Sequence, residues 1–335
     1  MKTCLKKILI LCLYLQPHTL LADIQVAISV TWEGEDLKKT NLEAVEKIRK
    51  QFPDMPVLHF LSSDYYSPKK NESASDVTNK IQNAIKAHDS IGLRIHGSEH
   101  LTRKAGVRQI KGPTFWGECE LKCGRSVPLD AWSSKEIQKL IATSQQELHL
   151  HGFNIGPWFL APGWLATPKV LAAARAQGYH HDFSAIPPTL LSEELAHFPL
   201  LTWLQQLWAS QTAFSQPKQL PTTHGWIKEM GQNLGTMDYR TMASVLKTFE
   251  SYTKLQQMTP HKNYFIHLGM YQETALHTAP KITATLKRMI KIAQNNNVHM
   301  KFYKPKGKVL STVHSQKNDN PALTNNDRHP PLSRH

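Results

Sequence analysis

Buried strands alternate with amphipathic helices along the first part of the chain. The apolar, β-branched run "IQVAISVT" at residues 24–31 predicts a buried strand, and "PVLHFLS" and "SIGLRIHG" predict two more. Between them, "TNLEAVEKIRKQF" and "SDVTNKIQNAIKAH" have the apolar spacing of helices, and Thr40 with Glu43 predicts a capping box. Strands that alternate with helices in this way favour a parallel sheet.

The same criteria predict the later elements. A helix runs from Ser133, capped through Glu136, to about His151, and a second helix is capped by Thr167 with Pro168 in its first turn. A third helix runs from about Tyr239 to Lys254, and a fourth lies in "KITATLKRMIKIAQ". Strands are predicted in "PWFLAPG", "FPLLTWL", "YFIHLGM" and "VHMKFY", and residues 209–236 are predicted to be rich in loops.

The repetition of strand and helix fixes the expected fold class. About seven or eight such units in ~280 residues suit a (β/α) barrel. We therefore predict an α/β fold, a distorted (β/α) barrel of about seven strands, over residues 23–304. Residues 305–335 are rich in Lys, Asn, Pro and His with little apolar content, which predicts a disordered polar tail.

Residues 1–22 have the pattern of an export signal. Lys2, Lys6 and Lys7 precede the apolar run "ILILCLYL", and Ala22 is a suitable small residue for cleavage. The run is shorter than the ~20 residues that span a bilayer. We expect an exported protein, periplasmic or secreted, without stable membrane insertion after cleavage; an uncleaved anchor is the alternative.

Two cysteines remain after the signal is removed. Cys119 and Cys123 lie in "CELKC", between glycine-containing stretches. In an oxidising compartment this spacing favours a small disulfide loop. Zinc binding is the alternative, although it would require further ligands nearby.

The chain is basic, with a formal net charge of +14 over its 335 residues. A basic surface can attract anionic glycans, although it can equally serve solubility alone. No basic stripe with interleaved aromatic residues predicts nucleic-acid binding. We expect a polysaccharide or another N-acylated amino-sugar substrate as the partner and no nucleic acid.

Polar groups follow three of the predicted strands. Glu33 and Glu35 follow the first strand, the third strand ends in His96 with His100 just beyond, and a late strand ends in His267. Active residues of parallel β/α folds gather at the carboxyl ends of strands. Two imidazoles and one carboxylate are a common zinc set, and zinc can provide an activated water.

These motifs and their order resemble the NodB-homology polysaccharide deacetylases, carbohydrate esterase family four. "HGSEH" is similar to the H-[ST]-x-x-H motif of the family, "TWEGED" to its first motif, and "YFIHLGM" to its last motif. The resemblance implies zinc, or another divalent metal, held by Glu35, His96 and His100, with Glu33 as base and His267 as acid. It further implies removal of N-acetyl groups from an exported amino-sugar polysaccharide.

The chain departs from the family pattern at several positions. Gly97 stands in place of Ser or Thr, and both first-motif carboxylates are Glu rather than Asp, so that Asp36 competes with Glu35 as the ligand. The arginine of the third motif, which orients the base, is missing. Strand alternation places Arg94 on the same face as His96, and we predict that it pairs with Glu33 or Glu35 instead. An outward-facing, solvated Arg94 is the alternative.

Substrate contacts are predicted on two later stretches. A backbone N–H near Gly163 could stabilise an oxyanion, Trp164 could stack on a sugar ring, and Asp182 follows a predicted strand. "PGW" also resembles deformylases of lipid-linked aminoarabinose in the same superfamily. A deformylase or deacetylase of a lipid-linked sugar, and a non-catalytic carbohydrate-binding protein, are therefore the alternative functions.

Overall fold

The computed structural model describes residues 22–68, 72–117 and 123–310. Its strands are β1 (Ile24–Trp32), β2 (Leu58–Ser62), β3 (Ser90–Arg94), β4 (Trp158–Leu160), β5 (His181–Asp182), β6 (Lys218–Thr222), β7 (Gly225–Glu229), β8 (Gly235–Thr236), β9 (Tyr264–Tyr271) and β10 (Met300–Phe302). Its α-helices are α1 (Lys39–Gln51), α2 (Ala74–Ala84), α3 (Glu99–Lys104), α4 (Ser134–Leu150), α5 (Pro168–Ala176), α6 (Pro199–Trp208), α7 (Met242–Met258) and α8 (Ala275–Asn295).

The strands form one curled sheet in the order β6-β7-β5-β4-β3-β2-β1-β9-β8, and β10 also pairs with β1. All pairings are parallel except the hairpin of β6 and β7. Residues 229–237 connect the segment after β5 with strand β9 through backbone hydrogen bonds. The N–H of Gln232 donates to the Ala185 carbonyl (2.6 Å), and the N–H of Leu234 donates to the His267 carbonyl (3.0 Å). The predicted distorted α/β barrel is therefore confirmed.

Side chains fill the interior of the barrel. Phe60, Phe183 and His267 are fully buried, and the Phe183 ring packs 5.4 Å from Phe60 and 5.3 Å from His267. A filled interior leaves the ends of the strands as the place for binding and chemistry.

Most helix starts follow the sequence signals. Ser133 and Glu136 form the predicted capping box of α4, and Thr167 caps α5 with Pro168 in the first turn. The prediction for Thr40 is wrong, because α1 already begins at Lys39 without a side-chain cap.

The region after residue 197 differs from the sequence prediction. "FPLLTWL" belongs to helix α6, not to a strand, and Leu200, Leu204 and Trp208 bury one helical face. Their spacing of four residues matches a helix, and Pro199 suits its first turn. The stretch predicted as loops contains the β6–β7 hairpin.

The chain beyond residue 304 still packs on the barrel for a short distance. The N–H of Leu310 donates to the Ile155 carbonyl (2.8 Å), and Gly307 lies close to the Pro157 ring. The predicted signal peptide up to residue 21, Cys119, the Cys123 side chain and residues 311–335 lie outside the described part. None of the helices in the described ranges is long and apolar enough to cross a membrane.

Candidate active site at the carboxyl ends of the strands

The carboxyl ends of β1, β2, β3 and β9 meet at one mouth of the barrel. Register explains the meeting, because Trp32 pairs with Leu61, Ser62 with Arg94, and Thr31 with Tyr271. Residues that directly follow these strands must then lie side by side. The ionisable residues gathered here are Glu33, Glu35, Asp64, Arg94, His96, Arg125 and Glu273.

Glu33 is held between a guanidinium and an imidazole. Its Oε1 lies 2.9 Å from Arg94 Nη2, and its Oε2 lies 2.9 Å from His96 Nε2. Both are ion-pair contacts without the alignment of a hydrogen bond. Burial alone would raise the pKa of Glu33, but Arg94, His96 and Arg125 outweigh it and hold the pKa well below its usual range. Glu33 is therefore a permanently ionised carboxylate.

Arg94 reaches Glu33 from the last position of β3. Its side chain is 5% exposed, and Nη1 donates to the Ala161 carbonyl beyond β4. The ion pair predicted from strand alternation is present in the structure. Arg94 thus provides a guanidinium at the mouth, where the third-motif arginine is missing.

Glu273 is a site residue that the sequence interpretation missed. Its Oε1 accepts the N–H of Glu33 (3.0 Å) and the hydroxyl of Tyr65 (2.6 Å). Burial, followed by the charge of Glu33, raises the pKa of Glu273 to about 7. Its position just after β9 could have identified it, because active residues gather at the carboxyl ends of strands and Glu33 is predicted from its position after β1 in the same way.

Asp64 and Arg125 were also missed. Arg125 Nη1 lies 3.1 Å from Glu35 Oε1, its Nε lies 3.2 Å from Asp64 Oδ2, and its Nη2 donates to the Glu33 carbonyl. Asp64 follows β2 and accepts the Ser98 hydroxyl at 2.6 Å. Strand-end position could have identified Asp64, whereas Arg125 lies in a short 3-10 turn with no sequence signal.

The residues expected to hold zinc do not converge. In the described ranges, no group of three or more His, Cys, Asp or Glu is arranged to hold a metal ion. His96 contacts Glu33 through Nε2 and the Arg125 carbonyl through Nδ1 (3.1 Å). Glu35, 55% exposed, pairs with Arg125. These residues do not fit a zinc centre, and zinc dependence stays a prediction of the motif resemblance.

His100 lies on the first turn of α3, where the Asp64 carboxylate is near enough to act on its pKa. Burial, with a further contribution from Lys104, lowers its pKa. Its Nε2 is buried and has no hydrogen-bond partner among the residues described. Asp36, the alternative ligand, instead pairs with Lys38 at 3.2 Å.

His267 is not at the mouth, which corrects the sequence expectation. Strand β9 continues beyond it to Tyr271, so the side chain lies in the barrel interior and is fully buried. Its Nε2 lies 2.7 Å from the Ser29 hydroxyl, and its Nδ1 lies 3.1 Å from the Gly231 carbonyl. Burial lowers its pKa to about 4, so a neutral ring donates to Gly231 and accepts from Ser29.

Trp164 is buried, which disagrees with the stacking on a sugar ring that the sequence predicts. Its ring packs 5.9 Å from Tyr239 and 6.3 Å from Tyr271. Burial and nearby charges, including Glu33, raise the pKa of Tyr239 to about 12. Gly163 has a φ of +57°, and a side chain there would strike Phe115, so this turn requires glycine.

Asp182 is fully buried on the other side of the strand from Phe183, which faces the barrel interior. It accepts the Ser184 hydroxyl at 2.5 Å, and burial raises its pKa to about 7. The mouth does not include it, so the expected substrate contact is corrected to a role in the packing of β5.

No protein-family model matches the chain, and a search of curated proteins finds no match. One similar solved structure is a Mycobacterium smegmatis protein assigned as a polysaccharide deacetylase, with TM-score 0.46 and 10% identity over 85% of this chain and 99% of that chain. Another is a family 4 carbohydrate esterase from Streptomyces lividans in complex with acetate, with TM-score 0.39 and 8% identity over 80% and 90%. At these TM-scores, neither likeness bears on the activity of this chain.

Proposed function

We propose that this protein is a hydrolase that removes an acyl group from an N-acylated amino sugar of an exported glycan. The observation that carries the proposal is the pairing of two unlike carboxyl groups at the mouth. Glu33 is held ionised, whereas the pKa of Glu273 is raised to about 7. Carboxyl groups whose pKa values are pushed apart are typical of acid–base catalysis.

Glu273 is the proton-transfer group in this proposal. A group with a pKa near 7 can accept a proton from water at neutral pH and return it to the leaving amine. Oε1 is fixed by Tyr65 and by the Glu33 N–H, while Oε2 is buried and has no hydrogen-bond partner among the described residues. Oε2 is therefore the oxygen left for proton transfer.

Glu33 acts through its charge rather than as a base. A carboxylate whose pKa is held this low is a weak proton acceptor, which differs from the base role that the resemblance implies. Its charge raises the pKa of Glu273 and keeps Arg94 at the mouth. Arg94, together with backbone N–H groups near Gly163, would stabilise the oxyanion of the tetrahedral intermediate.

Exposed aromatic side chains favour a glycan as the substrate. Trp116 and Phe198 are each 38% exposed and pack edge to face at 5.6 Å. The adjacent Phe115 ring lies against Gly163, which links this pair to the mouth. Aromatic rings with one open face suit stacking on sugar rings.

Acetate release tests the proposal directly. The protein would be incubated with chitin oligomers, peptidoglycan and poly-N-acetylglucosamine, with and without added zinc, and released acetate would be measured. We expect release from at least one polymer and its loss in Glu273→Gln. Release that is unchanged in Glu273→Gln would contradict the assigned role, and no release from any amino-sugar polymer would contradict the function.

Glycan binding without turnover is the second candidate function. The contacts of Arg94 and His96 with Glu33 favour this candidate. They make Glu33 a weak proton acceptor, so no strong base is left among the residues predicted from the sequence. Binding of a polymer by wild type and Glu273→Gln alike, without acetate release by either, would favour this candidate.

A further inference from the structure

Arg125 lies where three acidic or carbonyl oxygens converge. Its guanidinium contacts Glu35 Oε1 (3.1 Å), Asp64 Oδ2 (3.2 Å) and the Glu33 carbonyl. The side chain is only 16% exposed. One guanidinium therefore neutralises both Glu35, which the motif resemblance assigns to a metal, and Asp64, which was not predicted from the sequence.

The turn that carries Arg125 packs directly on "HGSEH". A Cβ atom at Gly124 would lie 2.7 Å from the Gly97 carbonyl, and one at Gly97 would lie 2.2 Å from the Trp132 ring. Neither position can hold a side chain without movement of the packing. The Arg125 carbonyl then meets His96 Nδ1 at 3.1 Å.

The departure at Gly97 thus has a structural reason. Ser or Thr, which the resembled motif has at this position, would collide with the Trp132 ring. Gly124 lets the turn that carries Arg125 approach the Gly97 carbonyl closely, and this approach places the guanidinium between Glu35 and Asp64.

We propose that the Arg125 guanidinium is the resident cation of this site and that it excludes a divalent metal ion. Glu35 and Asp64 have a cation already, and His96 contacts oxygens through both of its nitrogens. Cation binding is separate from turnover, so the proposal stands or falls independently of the proposed hydrolysis.

Metal content and thermal shift of the full chain test the proposal. We expect wild-type protein to contain substoichiometric zinc and to show no rise in Tm with added zinc or manganese. Arg125→Ala should lower Tm because Glu35 and Asp64 lose their cation, and added zinc or methylguanidinium should restore part of the loss. Arg103→Ala, which removes an exposed arginine on α3, is the matched control and should leave Tm and the zinc response unchanged.

Arg125→Gln is the second variant, because it keeps polar atoms near Asp64 if the alanine variant does not fold. We expect it to gain the zinc response that wild type lacks. One zinc per wild-type chain, lost in His96→Ala or His100→Ala, would overturn the proposal. A wild-type Tm in Arg125→Ala without any cation response would overturn it as well.

Discussion

Arg94 Nη2 lies 2.9 Å from Glu33 Oε1, across the mouth from the end of β3 to the end of β1. The strand between them, β2, contributes no partner to this pair. Both side chains are largely buried, with exposures of 5% and 20%, so neither charge is well solvated without the other. The pair therefore fixes Glu33 and gives the barrel mouth one permanent negative charge with its counterion.

Removal of the guanidinium tests the importance of this pair. Arg94→Met should reduce turnover and lower stability by a few kcal/mol, since loss of one partner leaves the other charge buried and unpaired. Turnover per folded molecule, metal content and Tm would be measured together. Arg108→Met, which removes a more exposed arginine paired with Glu136, is the control. A fully active Arg94→Met would show that the pair has no role in the reaction.

The pH dependence of activity should report Glu273. If its ionised form accepts the proton, kcat/KM should rise with pH and level off above about 7, where the carboxyl is ionised. In Glu273→Gln this rise of kcat/KM with pH should disappear, and the rate should fall by about 10²-fold or more. An unchanged pH profile in the variant would assign the rise to another group.

Stability should depend on Glu273 with a defined sign. Its pKa in the folded state is raised to about 7 from an ordinary value of 4.5, so the folded state binds more protons than the unfolded state between these values. Stability is then lost as pH rises through this window. Glu273→Gln should match wild type near pH 4 and gain Tm relative to it up to about pH 7.

Asp182→Asn is a matched comparison for this effect. The pKa of Asp182 is likewise raised to about 7 by burial, but the residue lies outside the mouth. We expect the same direction of change in Tm with pH and an unchanged kcat/KM profile. A shifted activity profile in Asp182→Asn would place this residue in the catalytic site after all.

His267 should affect folding rather than chemistry. His267→Asn breaks the contacts with Ser29 and Gly231, and an unsatisfied buried group costs about 1–3 kcal/mol. Tm should fall, while kcat per folded molecule and its rise with pH should remain. A loss of kcat by ~10²-fold at unchanged Tm would instead support the acid role implied by the motif.

The exposed aromatic pair should contribute to polymer binding. Trp116→Ala should raise KM for a long glycan several-fold with little change in kcat, because stacking acts on binding alone. Trp226→Ala is the control, since Trp226 is 61% exposed but lies near the start of β7, at the opposite end from the mouth. Equal effects of both substitutions would indicate nonspecific surface binding.

The fold class and one ion pair could be predicted from the order of residues alone. Alternation of β-branched runs with amphipathic segments is a local property, so β1, β2, β3 and their helices were readable from it. The period of two along a strand likewise placed Arg94 and His96 on one face and led to the pair with Glu33. Both inferences needed only spacing along a single strand or helix.

Which groups meet at the mouth depends on contacts between distant segments of the folded chain. The structure shows where β9 ends. The strand continues past His267 to Tyr271, so Glu273, and not His267, lies just beyond its end. Arg125 reaches Glu35 and Asp64 through the close approach of Gly124 to Gly97, a contact between distant segments. Electrostatics and packing across such segments depend on distances in space, which the order of residues does not specify.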